Sequence, residues 1–141
     1  MRLILDSSVA VKWEISELDS DKAIRLRDDF QNGLHEFLSV DIFKVEAAHA
    51  FTRAERQGRI RPGEAKKLLA SVLTTAPQFF AFSLLLDRAI DISSSMRIGV
   101  YDCLYVALAE QEKCDFITAD DKLVKNLQKQ FPFIVNLSTL P

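Results

Sequence analysis

Short apolar blocks alternate along this chain with longer stretches of helical period. "RLIL" at 2–5, "EFLSV" at 36–40, "DFIT" at 115–118 and "FIVNL" at 133–137 read as strands, and "FFAF" at 79–82 as a shorter one. Between them, apolar positions recur every three or four residues. They predict helices over 8–15, 20–32, 42–57, 62–75, 83–94, 101–112 and 120–129. Gly33 and Gly58 stand where two of these should stop, and Pro62 where one should begin. Apolar strands separated by helices imply a parallel sheet covered on both faces. The expected fold is a three-layer α/β/α sandwich forming one domain over residues 1–141.

In such sheets the functional site lies beyond the carboxyl ends of the strands. That places interest on Asp6, just after "LIL", and on Asp120, just after "FIT". Each has a plain alternative reading as a helix N-cap. Spacing alone does not separate Asp120 from Asp121. Asp102 is the only charge between Tyr101 and Ala109, at the start of an apolar helix whose first turn is expected to be buried. It too reads as a cap. Glu46, in "DIFKVEAAHAF", has Ile42, Phe43 and Ala50 as helical neighbours. A carboxylate on such a face needs a cation, a proton or a metal.

Taken together, four acids at element ends would repel one another. Two carboxylates about 5 Å apart cost on the order of 3 kcal/mol at an effective dielectric of ~20. A hard, oxygen-seeking cation such as Mg²⁺ or Mn²⁺ removes that cost. Glu46 and His49 have the Glu-x-x-His spacing of di-iron bundles, but with two histidines in the chain and no second copy, His49 is expected to be a hydrogen-bonded helix residue.

Composition narrows the setting. The 141 residues are 48% hydrophobic and 27% charged, and no apolar run reaches the roughly 18 residues of a membrane span. The start of the chain lacks a signal-peptide pattern. Cys103 and Cys114 form neither a disulfide framework nor a zinc pair, so a cytoplasmic, reducing setting is expected. Net charge is −2; setting four acids aside leaves 18 basic residues against 16 acidic ones, a nearly neutral body around an acidic hole. There is no GxxxxGK[ST], GxGxxG or G-x-S-x-G, which removes the usual nucleotide cradles and the serine-hydrolase elbow. A dehalogenase-like phosphatase would need a second Asp where Ser8 stands.

"LILDSSVAVKW", "DIFKVEAAHAF", "VYDCLYVALAE" and "FITADDKLV" resemble, in order and spacing, the four motifs of PIN-domain ribonucleases, nearest to the VapC-type toxins of toxin–antitoxin pairs. The resemblance covers nearly the whole chain. It implies that Asp6, Glu46, Asp102 and Asp120 are the acidic site, with Mg²⁺ or Mn²⁺ as cofactor and Ser8 and Thr118 as supporting hydroxyls. It implies an endoribonuclease in which metal-activated water attacks a phosphodiester of single-stranded or structured RNA. It also implies a homodimer and a cognate antitoxin. Two positions depart from the family pattern: Asp41 stands where Pro is common, and His49 where Asn is common. Lys12, Arg53, Arg56 and Arg59 are the candidate RNA contacts, with a solvated helix face as the plain alternative. "FFAFSLLL" and the helices from 19 to 75 are candidate interfaces, although buried core accounts for most such residues. Two other classes stay open: a non-catalytic PIN scaffold that binds RNA or protein, and a phosphohydrolase of small phosphate esters.

Overall fold

The computed structural model describes residues 1–75 and 77–141. Five strands, β1 (Arg2–Leu5), β2 (Glu36–Val40), β3 (Gln78–Phe80), β4 (Asp115–Thr118) and β5 (Ile134–Asn136), form one sheet in the order β3-β2-β1-β4-β5. All four pairings are parallel, with Ile4 opposite Leu38 on one side and Phe116 on the other. β1 is therefore central, and the connections leave it toward opposite edges. The crevice beyond β1 and β4 is the topological switch point, where open α/β sheets place their sites.

Among the described residues, seven helices cover the two faces: α1 (Ser7–Glu14), α2 (Ser20–Gln31), α3 (Phe43–Arg56), α4 (Glu64–Leu73), α5 (Leu86–Met96), α6 (Val100–Glu112) and α7 (Asp121–Leu127). Strand side chains alternate between faces. Leu3, Leu5, Phe37 and Ile117 pack under α1 to α4, whereas Ile4, Leu38, Phe116 and Ile134 pack under α5 to α7. This double burial is why the strands read as continuous apolar blocks rather than as alternating ones. The Trp13 indole N–H donates to the Ala23 carbonyl at 2.9 Å and ties α1 to α2.

Several boundaries differ from expectation. The fourth helix starts at Glu64, not at Pro62, because Gly63 takes a left-handed conformation (φ 88°) as its N-cap. Glu55 of α3 then accepts the Gly63 and Ala65 N–H groups at 2.8 and 3.1 Å, capping α4 from outside. "FFAF" splits between β3 and a 3₁₀ turn at Phe82–Leu84, which postpones the fifth helix to Leu86. Nor is "FFAFSLLL" mainly core: Leu85 is buried, but Phe82 is 42% and Leu84 84% exposed. Among the described residues, no helix is long and apolar enough to cross a membrane.

Candidate active site at the switch point

Asp6 leaves the end of β1 and is almost fully buried. It is also the N-cap of α1, accepting the Ser8 backbone N–H at 3.1 Å. Capping and site membership are thus not alternatives here. Two hydroxyls complete its shell: Ser8 Oγ donates to Oδ1, and Thr118 Oγ1 donates to Oδ2 at 2.5 Å. Ser8 Oγ accepts in turn from the loop after β4, and Thr118 Oγ1 from its own loop. Ala119 N–H donates to Ser8 Oγ at 2.9 Å, and Asp120 N–H to Thr118 Oγ1 at 3.2 Å. The loops after β1 and β4 are therefore stitched together through Ser8 and Thr118, the two hydroxyls expected to support the site. Ser39 on β2, which sequence reading missed, anchors the preceding turn by donating to the Leu5 carbonyl at 2.7 Å.

Asp120 caps α7, accepting from the N–H groups of Lys122 and Leu123, both at 3.1 Å. Only Oδ1 is used in this way. Asp121 instead accepts from the Asn136 side chain at 2.9 Å, which separates the two neighbouring acids by position as well as by motif. Asp102 is different. The N-cap of α6 is Gly99, so Asp102 sits in the first turn, where the helix dipole favours an anion. Among the described residues no protein hydrogen bond reaches its carboxylate, so the capping explanation fails for it. The expected burial of this helix start is met only in part. α6 is buried from Cys103 to Ala109, but Asp102 is half-buried and Tyr101 64% exposed.

Glu46 is half-buried near the start of α3. Its partner is one that sequence reading missed: the Tyr105 hydroxyl donates to Oε1 at 2.5 Å across 59 residues. Tyr105 is itself buried, its ring stacked on Phe116 with centroids 5.6 Å apart. Its apolar period in "YDCLYVALAE" marks it as core, and nothing local signals the hydroxyl's target. His49 faces solvent, and among the described residues its side chain makes no hydrogen bond, contrary to expectation. Asp41 ties the end of β2 to the 3₁₀ turn by accepting the Phe82 N–H at 3.0 Å.

Asp6, Glu46 and Asp102 each sense a neighbouring acid. Burial pushes the Asp6 carboxyl up to about 7; the Ser8 and Thr118 hydrogen bonds oppose this, and the charges of Glu46 and Asp102 add to it. Burial raises Asp102 to about 6, with Asp120 raising it further and Lys122 pulling it down. Glu46 is raised by burial and by Asp102, against the Tyr105 hydrogen bond. Burial and the neighbouring Glu46 and Asp6 charges keep the Tyr105 phenol protonated, as a donor.

Among the described residues, no three His, Cys, Asp or Glu side chains converge tightly enough to cage an ion by themselves. The acids instead form a chain of repelling neighbours. That suits a cation which keeps much of its water and takes one or two carboxylates, as Mg²⁺ does. The donor set is all hard oxygen, and the Asp102 carboxylate is uncommitted, so the residues fit such an ion.

Asp102 and Asp120 also face a cleft of about 330 Å³ that is shared with Arg97, Lys122 and Asn126. A larger, more open hollow of about 430 Å³ lies beside Lys113 and Cys114, at the amino ends of the strands and away from the four acids. The expected RNA contacts are not brought to the acids. Arg56 stands ten residues beyond Glu46, about 15 Å along α3, and Arg53 about 10 Å. Arg59 donates to Glu17 at 2.7 Å. Lys12 donates to the Leu18 carbonyl at 2.8 Å, with the same Glu17 3.6 Å away. Lys12 and Arg59 thus serve the α1–α2 and α3–α4 connections. Arg97 and Lys122, which sequence reading passed over because neither belongs to a basic cluster, share the cleft with Asp102 and Asp120.

A parallel α/β sandwich with clustered carboxylates at its switch point is the class that fold and site define. The chain belongs to the PIN domain family, whose model matches residues 3–128. It is 28% identical over 137 residues to Ribonuclease VapC3 of Pyrobaculum aerophilum, covering 96% of this chain and 98% of that protein. Its fold is similar to the crystal structure of PAE2754 from Pyrobaculum aerophilum, with a TM-score of 0.70 and 20% identity, covering 99% of this chain and 94% of that one. It is also similar to VapBC2 from Rickettsia felis, solved bound to a DNA fragment from its promoter. There the TM-score is 0.66 and the identity 15%, over 96% of this chain and 98% of that one.

Proposed function

We propose that this chain is a divalent-metal-dependent endoribonuclease, the toxin of a type II toxin–antitoxin pair. The observation that carries this reading is the buried Asp6, locked by Ser8 and Thr118 and within electrostatic range of Glu46 and the uncommitted Asp102. A binding scaffold has no use for ionisable groups held together at such a cost. The relative named Ribonuclease VapC3 supports RNA as the substrate.

Asp6, Asp102 and Asp120 would hold Mg²⁺ or Mn²⁺, and Glu46 would join them or accept a proton from the attacking water. When bound, the cation supplies Lewis-acid polarisation of the phosphodiester and a lowered pKa for water. The chain's own part is orientation. Ser8 and Thr118 fix both Asp6 oxygens, and Tyr105 fixes one oxygen of Glu46. Water attacks phosphorus, the 3′-oxygen leaves, and a proton returns to it.

The Rickettsia felis VapBC2 neighbour supports an antitoxin partner. Phe82, Leu84, Ile90 and Tyr101 offer exposed apolar surface for that partner or for a second copy of the chain in a homodimer. Two free thiols fit a cytoplasmic setting.

The test is cleavage of a mixed single-stranded RNA pool with Mg²⁺ or Mn²⁺, with EDTA, and with an Asp102→Asn variant. Cutting that needs metal and vanishes in the variant is the expected result. Cutting that survives both EDTA and the substitution would overturn this reading.

A further inference from the structure

An acidic hole repels the polyanion it is meant to cut, so some part of its rim must attract phosphate. The cleft beside Asp102 and Asp120 has two cations on its walls. Arg97 follows α5 and Lys122 opens α7. Both side chains are exposed, and among the described residues neither makes an ion pair within 4 Å or a side-chain hydrogen bond, unlike Lys12 and Arg59. Lys122 is nevertheless close enough to act on the charge of Asp102.

The backbone holds Arg97 in place. It has a left-handed conformation (φ 58°), and its N–H donates to the Ser93 carbonyl. The Ile98 N–H donates to that same carbonyl, and Ser93 Oγ donates to the Ile98 carbonyl. The side chain therefore leaves from a fixed point at the mouth of the cleft. Ile98 and the buried Leu123 also line this cleft.

We propose that Arg97 and Lys122 form a phosphate subsite for single-stranded RNA, holding a backbone phosphate next to the scissile one. This rests on the four acids being a phosphodiesterase centre. Two uncommitted cations beside an uncommitted carboxylate give the strand a path: phosphate on the cations, and its neighbour over the acids. Contacts to phosphate carry no sequence information, so the subsite positions the strand rather than reading its bases.

The test measures binding of a short single-stranded RNA as a function of salt, in Mg²⁺, by the full chain carrying Asp102→Asn to prevent cutting. Arg97→Gln, Lys122→Gln and, as a control on the other helical layer, Lys66→Gln are added singly. Cleavage kinetics follow on the same three changes in the otherwise unaltered chain. Each subsite change is expected to weaken binding several-fold and to lower the salt slope by about 0.7. It should raise KM while leaving kcat nearly unchanged. Lys66→Gln should do neither, and Arg97→Lys should recover most of the loss. Unchanged affinity and slope in both variants would overturn the subsite, and so would failure of the parent to bind RNA. Cleavage by the unaltered chain is scored separately, so a working nuclease with an unaffected slope refutes the subsite alone. Weakened binding in a chain that does not cut supports the subsite and refutes the nuclease.

Discussion

The two halves of the acidic crevice are built differently. Around Asp6 every partner is internal: a cap N–H, two hydroxyls, and two loops that share them. Around the Asp102 carboxylate the described residues supply no hydrogen bond, only a half-buried position, a neighbouring acid and a cleft with two cations. One half holds a charge in position and the other leaves a charge accessible. Removing a group should therefore have opposite effects on stability in the two halves, although both removals harm activity.

The largest effect belongs to Asp102→Asn. RNA cleavage should fall by more than the roughly 100-fold that loss of an outer-shell partner costs. The metal-free protein should melt at a higher temperature, because a repelling charge is gone. A lower melting temperature would show that Asp102 is structurally paired and break the contrast. Thr118→Val should instead lower both properties. Stability should drop by about 1–3 kcal/mol, because a buried Asp6 oxygen loses its donor, and cleavage by about 10- to 100-fold. Urea titration and initial rates on the same preparation check this.

pH sharpens the same contrast. The folded-state pKa of Asp6 is raised to about 7, above its unfolded value, so the folded state binds the extra proton in the interval between them. Stability is then greatest below the unfolded pKa and falls as pH rises through the folded one. Asp102, raised to about 6, adds in the same direction. Metal-free protein should lose on the order of 2 kcal/mol between pH 5 and pH 7. The urea midpoint measures this, and millimolar Mg²⁺ should flatten the profile. The smallest effect is expected from Tyr105→Phe. The ring and its stacking on Phe116 remain, while Glu46 loses its orienting donor. Cleavage should drop about tenfold through kcat rather than KM, and the acid limb of the rate profile should move to higher pH because a hydrogen bond that favours ionised Glu46 is lost.

The fold was legible wherever local pattern and burial coincide. "RLIL", "EFLSV" and "DFIT" are apolar on both faces because helices cover both sides of the sheet. The edge strand β3 and its following 3₁₀ turn were blurred, since a three-residue strand at an edge has too little pattern to distinguish it from a helix start. Basic residues misled for the opposite reason. Arg53, Arg56 and Arg59 are dense in sequence, but a helix carries them away from Glu46 at about 1.5 Å per residue. Arg97 and Lys122 stand far apart in sequence and share one cleft only in the fold.

The sequence by itself determined the alternation of strands and helices and the placing of acids beyond β1 and β4, because apolar period and strand-end chemistry are local properties. It also carried the family resemblance, through four motifs in order. Tertiary structure alone decided that Asp6 is a cap and a candidate site residue at once, that among the described residues the Asp102 carboxylate caps nothing, that Tyr105 donates to Glu46, and which cations line the cleft. Those outcomes depend on how α3, α5, α6 and α7 meet over the sheet, and side-chain partners across such junctions are set by packing between distant segments.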